Sequence, residues 1–213
     1  MGSGFRIAVM MVCRIAVVLV LLLICTACSK PPALAPLPPE ATILAFGDSL
    51  TFGTGAGETE SYPAVLSAMI GRKVVNAGIP GEVSAEGLAR LPEILEREKP
   101  ALLILCHGGN DILRRLDQEV LAENLRAMIR TAREKGAEVM LLAVPAFGLS
   151  LKPLPLYGEV AKESGIPLER KTLSQVLRKS SLKADHIHPN AAGYRQLAEA
   201  VAALLRKSGA VNL

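Results

Sequence analysis

Four short apolar runs, TILAF (42–46), KVVNA (73–77), ALLILC (101–106) and EVMLLAV (138–144), punctuate this 213-residue chain. Runs of that length bounded by turn formers suit buried strands and are too short for core helices. Between and after them, residues 119–132 place Leu121, Leu125, Met128, Ile129 and Ala132 on one helical face, and residues 191–206 do the same with Leu197, Val201, Leu204 and Leu205. Strands that alternate with helices are joined by crossovers, so the expected fold is α/β: a doubly wound sandwich with a parallel sheet and helices on both faces. Ligands of such sheets bind at the carboxyl ends of the strands, which directs attention to the residues just after each run.

Upstream of these runs the chain is different in kind. Ile15 to Cys28 is fourteen residues without a charge, behind Arg6 and Arg14. This suits the apolar region of a secretory signal, about 7 to 15 residues, and falls short of the ~20 that a spanning helix needs. Read back to Ile7 it is 21 residues to Ala27, broken by Arg14, which is the uncleaved-anchor alternative. Either form implies export. The run ends Cys25-Thr26-Ala27-Cys28-Ser29, which resembles a bacterial lipobox, where a small residue precedes the cysteine that is lipidated and becomes the new N-terminus; Cys25 stands where Leu is usual. Ordinary cleavage near Ala27 is the competing reading. The expected organisation is therefore a lipoprotein-type signal peptide over 1–27, lipidation at Cys28, a proline-rich tether over 28–40 and one domain over 41–213. The tether contains PPALAPLPPE, five prolines in ten residues, a composition that favours extended polyproline backbone.

With the leader removed, Lys plus Arg falls from 24 to 22 against 20 acids, a net charge of +2. So small a balance, with the signs interspersed, gives no electrostatic case for nucleic acid as a partner. Cys13 and Cys25 leave with the leader and Cys28 carries lipid, so Cys106 is the thiol that remains and no internal disulfide is available.

Chemistry-bearing residues follow each strand. After TILAF comes Gly47-Asp48-Ser49-Leu50, which sets a serine hydroxyl at the rim of the sheet, inert until a neighbouring base takes its proton. After KVVNA comes Gly78, where a bare backbone N–H can approach a substrate oxygen, and after ALLILC comes His107-Gly108-Gly109-Asn110-Asp111, whose carboxamide can donate into the same space. Before the last helix lies Asp185-His186-Ile187-His188-Pro189-Asn190; an acid three residues ahead of a histidine can bend back to accept its Nδ1–H and leave Nε2 as a base. Taken singly, each of these segments is also an ordinary loop of turn formers.

Together, in this order and spacing, GDSL, a glycine after the second strand, GGND after the third and DxxHPN before the last helix resemble the SGNH (GDSL) hydrolase superfamily, nearest its bacterial thioesterase I/lysophospholipase-like esterases, over residues 41 to 206. The resemblance implies a flavodoxin-like sheet, Ser49 as nucleophile, His188 as base, Asp185 as its orienting acid, and an oxyanion hole from Ser49, Gly78 and Asn110. It implies no cofactor and no metal, although a cluster of Asp185, His186, His188 and His107 is the metal alternative. Cys106 continues an apolar strand and reads as core; His107 either ends the strand or lines the site.

The expected function is a serine esterase acting through an acyl-enzyme on small-molecule or lipid carboxylic esters and thioesters. The alternatives are an envelope carbohydrate O-deacetylase of the same superfamily and a non-catalytic binding lipoprotein. The loop PAFGLSLKPLPLY (145–157) holds five large apolar residues with Lys152 as its one charge, and Phe147, Leu149 and Leu151 are expected to wall a groove for medium or long acyl chains; folding under as a satellite core is the other reading. The expected protein is a monomer, held at the bacterial cell envelope by its N-terminal lipid.

Overall fold

The structure, a computed structural model, describes residues 31–148 and 151–212. The signal peptide, Cys28 and Leu149 therefore lie outside the described residues. Each apolar run forms a strand: β1 (Thr42–Gly47), β2 (Lys73–Gly78), β3 (Leu102–Cys106) and β4 (Glu138–Leu142), joined by a two-residue β5 (Leu168–Glu169). All pair parallel in the order β2-β1-β3-β4-β5, the doubly wound order of flavodoxin-like sheets.

Burial follows position in the sheet. Every residue of the central β3 is buried, whereas β2, at an edge, alternates between half-buried and exposed. That difference matches the unbroken apolar LLILC against the mixed KVVNAG.

The helices are α1 (Ser49–Phe52), α2 (Tyr62–Ile70), α3 (Ser84–Glu98), α4 (Gly109–Leu113), α5 (Gln118–Glu134), α6 (Pro155–Ser164), α7 (Thr172–Arg178) and α8 (Ala191–Lys207). The two helical faces legible in the sequence become α5 and α8, which bury Leu121, Leu125, Met128 and Ile129, and Leu197, Val201 and Leu205. Helix α2 packs with α8, and α3 with α5, the two layers that right-handed crossovers place on opposite faces of the sheet.

The proline-rich segment behaves differently from a free spacer. Leu34 and Leu37 are buried in the core, and their N–H groups donate to Ser208 and Ala210 carbonyls at 2.8 Å. Arg72, just ahead of β2, donates from Nη2 to the Leu37 carbonyl at 2.9 Å. Proline keeps the backbone extended, but the two leucines between the prolines find apolar cover, so from Leu34 onward the segment is a docked arm. It lies at the amino ends of β1 and β2, the pole away from Ser49.

Candidate active site

The GDSL turn is built around a carboxylate. Gly47 ends β1 where a Cβ would overlap the Cys106 carbonyl of β3, so glycine is required for the strands to close there. Asp48 is buried and caps α1: Oδ1 accepts from Leu50 N–H at 3.0 Å, and Oδ2 accepts from Gly109 N–H at 2.9 Å. Burial pushes its carboxyl above the ordinary value, against the opposing field of His107 and these two N–H groups. Asp48 thus ties the turn that carries Ser49 to the loop that carries Asn110.

From the other end of the chain, the strap before α8 brings a histidine to that serine. Asp185 Oδ1 accepts the N–H groups of Ile187 and His188, each at 2.8 Å, and the Ala184 N–H donates to the His188 carbonyl at 3.0 Å. Asn190 caps α8 by accepting from Gly193 N–H at 3.1 Å. In this tight turn His188 Nδ1–H donates to Asp185 Oδ2 at 2.7 Å, and the Ser49 hydroxyl donates to His188 Nε2 at 3.0 Å. A carboxylate only accepts, so it fixes the ring proton on Nδ1 and leaves the Nε2 lone pair for the serine. Burial pushes the Asp185 carboxyl up, but its bonds from His188 and Ile187 outweigh that and hold it below the usual carboxylate range. The three residues singled out in sequence segments some 140 positions apart therefore meet in one hydrogen-bonded chain.

The expected donor at Gly78 is corrected. Gly78 N–H points along the free edge of β2 and donates to Asn76 Oδ1 at 3.0 Å, while its Cα side is filled by the backbone of Phe52. Three residues on, Gly81 has φ +83, open space around its Cα, and an N–H with no acceptor among the described residues. Ser49 N–H is likewise unengaged among the described residues. Asn110 Nδ2 donates to the carbonyl of Glu82 at 2.9 Å, which sets the amide beside Gly81. Gly78 is the glycine that ends the strand, whereas the sequence signal for Gly81 is the Pro80-Gly81 pair, a turn former that permits positive φ.

The remaining expectations sort by burial. Cys106 is a buried free thiol, pushed well above its ordinary pKa by burial, as befits core. His107 is fully buried and bonds to Glu82 rather than to the Asp185 turn, and among the described residues no three His, Cys, Asp or Glu side chains gather as metal ligands. Phe147 is half-buried and packs against the core, and Leu151 is half-buried at φ +41. The loop is pinned by Ala146 N–H to the Lys152 carbonyl at 2.9 Å, and its last residues already belong to α6. A cavity of about 620 Å³ lies instead on the β2 side, lined by Phe52, Ala56, Ala64, Val74, Asn76 and Gly78 among others.

An α/β sheet with a serine, histidine and acid joined at its carboxyl edge defines a hydrolase of the acyl-transfer kind. Residues 45–196 match the GDSL-like Lipase/Acylhydrolase family, and the chain belongs to that family. It is 36% identical over 173 residues to Esterase TesA of Pseudomonas aeruginosa, covering 75% of this chain and 85% of that protein. It is 34% identical over 157 residues to Thioesterase 1/protease 1/lysophospholipase L1 of Escherichia coli K12, covering 70% and 76%. The crystal structure of TesA is similar at a TM-score of 0.70 and 34% identity, over 78% of this chain and 99% of that one. The resemblance read from GDSL, GGND and DxxHPN is borne out.

Proposed function

We propose that this protein is an exported serine esterase that hydrolyses carboxylic esters and thioesters through an acyl-enzyme on Ser49. The observation that carries the reading is the continuous path from Ser49 Oγ through His188 to Asp185. His188 Nε2 takes the hydroxyl proton as Oγ bonds to the substrate carbonyl carbon, and the carbonyl π pair moves onto oxygen. That oxyanion is met by Ser49 N–H, Gly81 N–H and the second Nδ2–H of Asn110. Collapse expels the alcohol or thiol, which receives the proton from His188; water then repeats the sequence and frees the acid. Names carried by relatives, esterase, thioesterase and lysophospholipase, support this class over sugar deacetylation or binding without catalysis.

The cavity between Phe52, Ala64 and Val74, which Phe52 connects to Ser49 through α1, supports room for a chain longer than acetyl. Lipidation at Cys28 rests on the lipobox-like CTAC sequence, and among the described residues no helix is long and apolar enough to cross a membrane. Hydrolysis of p-nitrophenyl acetate and octanoate by the purified protein and its Ser49→Ala variant tests the enzyme class. Turnover by the wild type and its loss in Ser49→Ala is the expected result; full activity in Ser49→Ala overturns it.

A further inference from the structure

Beneath the donors of this site the fold buries an ionic cluster that the acyl-transfer steps do not use. Glu82, 6% exposed, follows Gly81 in the loop from β2 to α3; Arg90 lies on α3; His107, with no exposed surface, follows β3. His107 Nδ1 accepts the Gly108 N–H at 3.0 Å, so the ring proton sits on Nε2, which donates to Glu82 Oε2 at 3.0 Å. Arg90 grips the same carboxylate with Nε at 2.5 Å and Nη2 at 2.7 Å. Its Nη2 also donates to the Ala77 carbonyl at 2.8 Å and the Gly47 carbonyl at 3.3 Å, in the last turns of β2 and β1 before the site. The guanidinium carbon lies 4.1 Å from the Phe46 ring centroid. One turn before Arg90, α3 itself makes way: a Cβ on Gly87 would overlap His107 Nε2.

Burial pushes the Glu82 carboxyl up, but the His107 N–H and the Arg90 guanidinium outweigh it and hold the group below the usual carboxylate range. A buried ion pair is seldom more stabilising than well-packed apolar side chains, so stability alone is a weak reason for placing one here. What distinguishes Glu82 is its other end. Its carbonyl accepts from Asn110 Nδ2 at 2.9 Å, and a carbonyl in that place admits only the NH2 side of the amide, which fixes the orientation of Asn110. On the N-terminal side the Gly81 carbonyl accepts from Arg114 Nη2 at 2.8 Å, and on the C-terminal side Ser84 N–H donates to Asp111 Oδ2 at 2.8 Å. The loop from 81 to 84 is thus held against the GGND segment along its length, with Glu82 as the residue that joins it to β1, β2 and β3 together.

We infer that Glu82, clamped by Arg90 and His107, is the positioning residue of the oxyanion hole, setting Gly81 N–H and the Asn110 amide at the separation that the tetrahedral intermediate requires. This deepens the esterase reading and rests on it. Misplacing a donor by a fraction of an ångström weakens transition-state binding while leaving the substrate's ground-state contacts in place, so the effect falls on kcat.

Steady-state kinetics on p-nitrophenyl butyrate, run below the melting temperature of each variant, test the inference. Glu82→Gln is expected to lower kcat by roughly 10- to 100-fold with KM within about threefold. Placed on Asn110→Ala, the same substitution costs clearly less than it does alone, because the part of its effect that passes through the amide is already gone and the part that passes through Gly81 N–H remains; a merely structural role multiplies in full. His107→Gln, which keeps a neutral N–H donor, retains kcat within about threefold, while His107→Leu loses about tenfold or more. Unchanged kcat in Glu82→Gln, or losses that multiply in full with Asn110→Ala, overturns the inference. Should Glu82→Gln not fold, the His107 pair decides: equal activity of the Gln and Leu variants overturns it. Ser49→Ala separates the two levels, since activity there removes the esterase reading itself, whereas an inactive Ser49→Ala beside an unimpaired Glu82→Gln removes only the positioning role.

Discussion

In the proposed mechanism Ser49 supplies two things at once, a hydroxyl for His188 and a backbone N–H for the developing oxyanion, and α1 beginning at this residue makes both available. A first-turn N–H has no intrahelical partner. Nucleophile and base form one unit, so Ser49→Ala and His188→Ala should each lower kcat by several orders of magnitude and the double variant little further, as read by steady-state kinetics. Asn110→Ala removes one of the proposed oxyanion donors and should cost roughly 100-fold or more in kcat on the same assay. Asp185 adds a pH dependence whose sign follows from its lowered carboxyl. Its contribution to stability is fully present above the ordinary carboxylate value of about 3.9 and is lost as pH falls through its lower folded value. Urea midpoints of the wild type and Asp185→Asn should therefore differ near pH 6 and converge as pH falls through that lowered value; a gap that widens toward acid contradicts the assignment.

Among the elements, the arm from Leu34 to Ala41 makes the clearest prediction. Two leucines buried to 6% exposure each represent about 1.5–3 kcal/mol of apolar burial, and 1 kcal/mol moves the melting temperature of a domain this size by about 2–4 °C. Leu34→Ser with Leu37→Ser should lower Tm by roughly 10 °C in calorimetry while leaving kcat at 25 °C unchanged, since the arm lies at the pole away from Ser49. The arm also shows where patterning misleads. Proline content marks an extended segment correctly, but whether that segment floats or docks depends on an apolar seat formed by the end of α8 and the start of β2, which no local pattern encodes. Helices α5 and α8 were legible from their periodicity, and the strands from short apolar runs; β5, two residues long, carries too little pattern to be seen.

At the scale of the molecule, the question is where a substrate's chain can lie. The loop of 145–157 is rich in large apolar residues, yet Phe147 packs against the core and Leu156 and Tyr157 are buried in α6, with Tyr157 donating to the His107 carbonyl at 2.8 Å. Room lies on the other side of the sheet edge, beside Phe52 and Val74. Filling it with Ala64→Phe should lower kcat/KM for octanoyl esters by about tenfold or more and for acetyl esters by less than about threefold, given roughly 0.8 kcal/mol for each methylene displaced. Equal losses on both substrates would place the acyl chain elsewhere.

Periodicity and order along the chain were sufficient for the parallel sheet and for its carboxyl edge as the place to look; Ser49, Asp185, His188 and Asn110 were pointed to by the resemblance that GDSL, GGND and DxxHPN carry together, since each segment alone is also an ordinary loop. The register of hydrogen bonds decided the rest. Gly78 and Gly81 lie three residues apart, and although Pro80-Gly81 signals a turn, it is the pairing of β2 with β1 that turns the Gly78 N–H to the edge, where Asn76 takes it, and leaves that of Gly81 open. Glu82, Arg90 and His107 stand 25 residues apart from first to last and share no motif; a buried charge acquires meaning from the partners that desolvation obliges it to find, and those are brought together by the packing of α3 against the strand ends.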